Sequence, residues 1–130
     1  MGNYAVKRID EMEAIYQGAF KRARAELGVE SWGMQVMDLP PNIDGYPEHD
    51  HGEDGQEEVY VTLRGSGEIE IDGERFRIDP ETIVRVGPGT KRKILPGDEG
   101  LRILALGGVP GEAYVAPDIT KLGEPDPMAA

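Results

Sequence analysis

Residues 31–116 form alternating runs of apolar and polar residues that are separated by turn-forming residues. In one run Ile69 and Ile71 alternate with acidic residues, which predicts a strand with one face in water. Asp72-Gly73 follows and predicts a hairpin, because a type I′ turn needs positive φ at both central residues. Many short strands at this spacing indicate a closed β-barrel or a sandwich. Further strands are predicted at 32–37, 58–64, 74–78, 82–86, 91–95 and 101–106.

Residues 1–30 show a different periodicity, and an amphipathic α-helix is predicted there over about 10–27. Asp10 and Glu13 are placed for an N-terminal capping box, and Gly28 suits the C-terminal end of a helix. Such a helix needs a surface to pack on, either the barrel or a second subunit. Its apolar residues recur at helical spacing and are Met12, Ile15, Tyr16, Ala19, Phe20, Ala23 and Leu27.

The chain of 130 residues is expected to fold as one domain. Its last segment, residues 117–130, is rich in Pro, Gly and Asp and is predicted to be an extended or flexible tail. The strand that starts at Glu58 has an apolar face, which the helix or a second copy of the sheet must cover. We therefore expect a homodimer. The apolar face consists of Val59, Val61 and Leu63.

The charge of the chain excludes some classes of partner. The chain has 14 Lys and Arg against 25 Asp and Glu, which gives a net charge of −11. Nucleic-acid binding depends on neutralising phosphates, so neither a nucleic acid nor an anionic membrane is an expected partner. There is no cysteine for a disulfide, a thiolate nucleophile or a cysteine-based zinc site. No apolar run is long enough for a membrane span, and we expect a soluble cytoplasmic protein.

The candidate chemistry lies in the loop and strand that follow residue 48. His49 and His51 are one residue apart, so on an extended segment their side chains point to the same side. Glu58 opens the next strand and can face them. Two neutral imidazoles and one carboxylate suit a divalent Fe, Mn, Ni or Zn ion. The alternative is that the two histidines are simply solvated in an acidic loop.

These residues resemble the cupins, a family of small jelly-roll proteins also described as double-stranded β-helices. The first cupin motif is His-x-His, a short gap, Glu, six residues and Gly, and it matches His49, His51, Glu58 and Gly65. The second motif is present in degraded form at 81–92. The resemblance covers about 33–107 and implies an all-β, jelly-roll barrel.

Cupins usually hold a metal with the two His and the Glu of the first motif and a His of the second, and that last position is Arg92 here. The resemblance therefore implies His49, His51 and Glu58 as metal ligands. In one interpretation Arg92 pairs with Glu58 in a metal-free pocket, because a protonated guanidinium cannot ligate a metal. In the other, the three ligands form a two-His-one-carboxylate site and Arg92 binds an anionic substrate. Tyr60 shares the face of Glu58 and would line the pocket.

Three kinds of function are compatible with these residues, because cupins carry many activities. A metal-dependent enzyme of the oxygenase or isomerase type would use one divalent Fe, Mn, Ni or Zn ion. A metal-free binding or sensing protein would hold a small polar or anionic molecule beside Arg92. A structural protein would fill its barrel with side chains and use its outer surface.

Overall fold

The computed structural model describes residues 2–43 and 47–128, and most of its regular structure is antiparallel strand. The strands are β1 (Ala14–Ile15), β2 (Phe20–Lys21), β3 (Gly33–Leu39), β4 (Glu57–Ile71), β5 (Glu74–Ile78), β6 (Ile83–Val86) and β7 (Arg92–Gly108). They form one sheet in the order β1-β2-β3-β7-β4-β5, in which β6 also pairs with β4. The predicted all-β architecture is confirmed.

Strands β4 and β7 are the two long strands of the sheet and pair with each other from end to end. Two register shifts interrupt this pairing, and such bulges bend a strand and increase its twist. The bend lets β4 pair with β6 through its first half and with β5 through its second. Gly65 lies at a bulge with φ 87°, and a Cβ there would be 2.1 Å from the Gly100 carbonyl oxygen. The glycine of the first motif is thus required by the fold.

The core of the barrel is apolar, but β4 turns its more polar face toward it. Tyr60 and Thr62 are buried, whereas Leu63 on the opposite face is 39% exposed. Glu58 belongs to the inward face, so this orientation places the candidate carboxylate in the barrel. The buried core residues are Met37, Leu39, Tyr60, Ile69, Ile78, Val86, Ile94, Leu101, Ile103 and Ala105.

The hairpin between β4 and β5 has the predicted turn. Asp72 and Gly73 both have positive φ, at 49° and 83°, and Ile71 faces Glu74 across the turn. This is the backbone that a type I′ turn requires. The two-residue turn fixes the register of β5 on β4.

The predicted helix over 10–27 is wrong. The segment instead contains a short 3₁₀ turn (Ile9–Glu11), the β1–β2 hairpin and one helix of five residues, α1 (Ala23–Leu27). Tyr16, Gln17 and Gly18 all have positive φ, so the chain reverses where the helix should continue. Strand β2 then pairs with β3. The backbone N–H and C=O groups of β2 thus find in β3 the hydrogen-bond partners that they would have found within a helix.

Some of the apolar residues that suggested a helix pack on the outside of the barrel, whereas Phe20 packs against the barrel core. Met12 and Ala23 form a second cluster with Val36, and Leu104 packs against it. These residues are therefore buried by tertiary packing, but from a hairpin and a short helix and not from one long helix. Within the described residues, none of the helices has the length and apolar character needed to span a bilayer.

The segment after residue 116 is attached to the N-terminal hairpin by a buried arginine. Arg22 is 1% exposed, and its guanidinium donates to the carbonyl oxygens of Ile119 and Glu124, both at 2.9 Å. It also donates to a carboxylate oxygen of Glu13 at 2.6 Å. A 3₁₀ turn, Asp118–Thr120, lies within this segment. Residues 129 and 130 of the predicted tail lie outside the described residues.

Candidate metal centre

The barrel brings together the three side chains that the sequence indicated as metal ligands. His49, His51 and Glu58 each offer a ligand atom within 4.8 Å of the other two. The Nε2 atoms of His49 and His51 lie 3.5 and 3.0 Å from the same oxygen, Oε1 of Glu58. The two imidazole rings are 5.2 Å apart and nearly perpendicular. This is a compact group of two nitrogen donors and one carboxylate.

Backbone pairing positions two of the three residues, His49 and Glu58. His49 and Arg92 exchange two backbone hydrogen bonds of 2.9 Å, which join the histidine segment to the start of β7. Glu58 lies on β4 between Val86 of β6 and Gly107 of β7. A Cβ at Gly107 would lie 2.8 Å from Oε1 of Gln56, which would have to shift, and at an ordinary contact distance of 3.5 Å from Cγ of Glu58.

Hydrogen bonds at Nδ1 orient both imidazoles. Nδ1 of His49 lies 3.3 Å from the carbonyl oxygen of Pro47, and Nδ1 of His51 lies 3.0 Å from a carboxylate oxygen of Asp54. Both acceptors are satisfied by a proton on Nδ1, and in that tautomer the Nε2 lone pair of each ring is available to a metal. A metal-binding histidine is commonly held in this way by a second hydrogen bond.

Asp54 was not predicted as part of the site. It lies in the six-residue gap between His51 and Glu58, which is longer than in the usual cupin motif. Burial raises the pKa of Asp54, but hydrogen bonds from the Gln56 backbone N–H and with His51 outweigh it and lower the pKa. An acidic residue three positions after a candidate ligand was the available signal in the sequence.

Glu58 is an ionised carboxylate in this environment. Burial alone would raise its pKa. Hydrogen bonds with His49 and from the Tyr60 hydroxyl, the latter at 2.6 Å, outweigh that effect. The charges of His51 and Arg92 act in the same direction, and the pKa of Glu58 is lowered from 4.5 to about 2. The side chain is therefore suited to ligate a cation and not to donate a proton.

Arg92 lies behind Glu58 and is fully buried. Its Nη1 is 3.9 Å from Oε1 of Glu58, and its Nη2 donates to the carbonyl oxygen of Val86 at 3.4 Å. Among the described residues, its Nε and Nη1 have no hydrogen-bond partner. Arg92 is thus a neighbouring charge of Glu58 without a hydrogen bond to it.

Tyr60 is also buried, at 2% exposure, and its hydroxyl is directed at Glu58. The side chain holds the carboxylate from the interior of the barrel. It shares a face with Glu58, as strand alternation requires.

Comparison with known proteins identifies the fold. No protein-family model and no curated protein matches the chain. A cupin protein from Bacteroides fragilis is 24% identical, with a TM-score of 0.66 and coverage of 88% of this chain and 93% of that one. The chain therefore has the cupin fold, as the first motif indicated, with a His-His-Glu group that could hold a metal.

Two further solved structures share this fold. A protein from Acidithiobacillus ferrooxidans, proposed to be a sugar phosphate isomerase, is 20% identical with a TM-score of 0.61, covering 78% of this chain and 68% of its own. A predicted oxalate decarboxylase from Thermotoga maritima is 24% identical with a TM-score of 0.53, and the match covers 61% of this chain and 68% of that one. At these identities the likeness concerns the fold.

Proposed function

We propose that this protein binds one divalent transition metal through His49, His51 and Glu58 and a small polar or anionic molecule beside it. The orientation of the imidazoles carries the proposal. Nε2 of each ring faces the same oxygen of Glu58, and with the proton of each ring on Nδ1 a cation among the three groups makes each contact favourable. Fe, Mn, Ni and Zn accept this set of donors.

Such a site suits a metal-dependent enzyme of the oxygenase or isomerase type. A metal with three protein ligands keeps open positions, where it would bind a substrate and polarise it. Tyr60 and Asp54 hold Glu58 and His51 in place. Arg92 adds a positive charge that favours an anionic substrate. The names of two proteins with this fold refer to oxalate and a sugar phosphate, both anions, and these serve as first substrate probes.

A metal-free binding or sensing protein is the second candidate function. The observation in its favour is the guanidinium of Arg92, 3.9 Å from the carboxylate that would have to ligate a metal. A fixed positive charge at this distance disfavours a dication. In that case the pocket would bind a small polar molecule directly, and a cognate ligand would raise the thermal stability of the protein.

Elemental analysis of protein purified without an affinity tag or chelator distinguishes the two candidates. The proposal expects near-stoichiometric Fe, Mn, Ni or Zn, lost in His49→Ala and in Glu58→Gln. Glu57→Gln is the matched control, because Glu57 pairs with Arg85 at 3.0 Å and not with the histidines. Absence of metal from the wild type, together with its presence in Arg92→His, would instead support the metal-free function.

A further inference from the structure

Arg92 is a buried cation with too few partners. A guanidinium has five N–H donors, and here only Nη2 donates a hydrogen bond. Among the described residues, its one ion pair within 4 Å is the long contact with Glu58. Unpaired charged donors in the interior raise the free energy of the folded protein, so an additional negative charge near Arg92 would be stabilising.

A metal would increase the demand for negative charge. The charges of Arg92 and Glu58 offset each other, and imidazoles that ligate a metal are neutral. A dication then adds two positive charges that no described side chain within the barrel offsets. Asp54 contacts His51, but its side chain is 48% exposed, so water screens part of its effect.

We propose that Arg92 makes metal binding at His49, His51 and Glu58 dependent on an anion, so that a divalent metal and a small carboxylate bind together. This inference rests on the proposed metal-binding function. A carboxylate suits both partners, because it can occupy an open metal position and it offsets the charge of a guanidinium. The carboxylate can reach the site from the side of the two histidines, since the side chains of His49 and His51 are 28% and 20% exposed.

Thermodynamic linkage makes this dependence reciprocal. If acetate raises the affinity for the metal by some factor, the metal raises the affinity for acetate by the same factor. We expect a factor of about 5 to 150, the usual range for coupled sites. Because most of the coupling depends on the charge of Arg92, Arg92→Lys should keep it in part and Arg92→Met should lose most of it.

The test is titration of metal-free, full-length protein with Mn²⁺ by isothermal calorimetry, without acetate and with increasing acetate. Ionic strength is held constant with sodium perchlorate, and acetate is preferred to oxalate because oxalate chelates free Mn²⁺. Circular dichroism checks that each variant is folded. Arg85→Met is the matched control, because Arg85 lies on β6 with its side chain 62% exposed and pairs with Glu57.

The expected result is that acetate tightens Mn²⁺ binding in the wild type and in Arg85→Met. In Arg92→Met, Mn²⁺ should bind more tightly than in the wild type without acetate, and acetate should tighten binding much less than in the wild type. Equal Mn²⁺ affinity with and without acetate in the wild type would overturn the inference without affecting the metal-binding proposal. An acetate effect of the same size in Arg92→Met as in the wild type would also overturn the inference. Absence of Mn²⁺ binding in every protein and condition would overturn the metal-binding proposal as well.

Discussion

At the level of single residues, the contact between Asp54 and His51 determines which imidazole nitrogen is available to a metal. The Asp54 carboxylate accepts from Nδ1 at 3.0 Å, so Nε2, which faces Glu58, is the nitrogen left for a metal. Partners of this kind typically account for a 10- to 100-fold change in metal affinity. Asp54 thus acts as a positioning residue through His51.

We expect Asp54→Ala to weaken Mn²⁺ or Zn²⁺ binding by about 10- to 100-fold, measured by isothermal calorimetry. The affinity falls because, without Asp54, the imidazole ring of His51 is free to rotate or to change its tautomer. Asp50→Ala is the control, because Asp50 accepts a backbone hydrogen bond from Gly52 at 2.9 Å in the same loop. Equal weakening in both variants would assign the effect to the loop and not to the orientation of His51.

The site residues themselves were predictable to different degrees. His49, His51 and Glu58 follow from the spacing of the first motif and from strand alternation, both of which are local properties. The contacts of Asp54 and Pro47 depend on the path of the loop, which spacing does not specify. Arg92 pairs with Ile71 at the opposite end of the β4–β7 ladder from Glu58, so its position behind Glu58 depends on the curvature of the barrel, and strand alternation alone gives only its direction.

At the level of elements, the strands were more predictable than the N-terminal segment. The Asp72-Gly73 turn and the alternation of Ile69 and Ile71 are local signals that the barrel preserves. The helix expected over 10–27 failed because its apolar residues also suit a hairpin whose β2 strand pairs with β3. Positive φ at Tyr16 and Gln17 is unusual for these residue types, and no local pattern indicated it.

Asp38 joins this N-terminal segment to the barrel. Its carboxylate pairs with Arg102 of β7 at 2.7 Å and with Lys21 of β2 at 3.1 Å, and Asp10 also contacts Arg102. Burial raises the pKa of Asp38, but the hydrogen bonds from Arg102 and Lys21 outweigh it and hold the pKa below 3.8. A carboxylate with a depressed pKa stabilises the fold at higher pH and loses this contribution on acidification.

We expect Asp38→Asn to lower the free energy of unfolding at pH 6, measured by urea denaturation. The difference from the wild type should persist down to about pH 4, near the unfolded pKa of an Asp, and shrink as the pH falls through the lower folded pKa. Asp98→Asn, in an exposed part of β7, is the control. A difference that stays constant down to pH 2 would contradict a role for the charge.

Arg22 makes a second connection, between the N-terminal hairpin and the segment around Ile119. Arg22→Met should lower the free energy of unfolding by about 2–4 kcal/mol, since it removes hydrogen bonds from a buried charge. Hydrogen exchange of the amides in 118–124 should accelerate more than exchange in the barrel. Exposed Arg8, changed to Met, serves as the control. Unchanged exchange in 118–124 would show that other contacts hold this segment.

At the level of the whole molecule, the outer face of the β4–β6 pair carries apolar side chains beside the Arg85–Glu57 ion pair and is only partly covered. The N-terminal segment packs on Val36 and Leu104, while Leu63 and Ile83 stay 39% and 69% exposed. This is the face for which the sequence suggested a second copy of the chain. Two copies would each bring a net charge of −11, so long-range repulsion opposes the contact that apolar burial favours.

We propose a homodimer through this face and expect its stability to increase with salt, because screening weakens the repulsion between two acidic copies. Light scattering after size exclusion should give the dimer mass at 0.5 M NaCl, a concentration at which the Debye length is only about 4–5 Å, and a lower mean mass at low salt. Ile83→Glu should give a monomer at both salt concentrations. Val115→Glu adds the same charge at a site that is 82% exposed and should behave as the wild type. A monomer mass for the wild type at high salt and micromolar concentration would contradict the dimer and leave this apolar face uncovered.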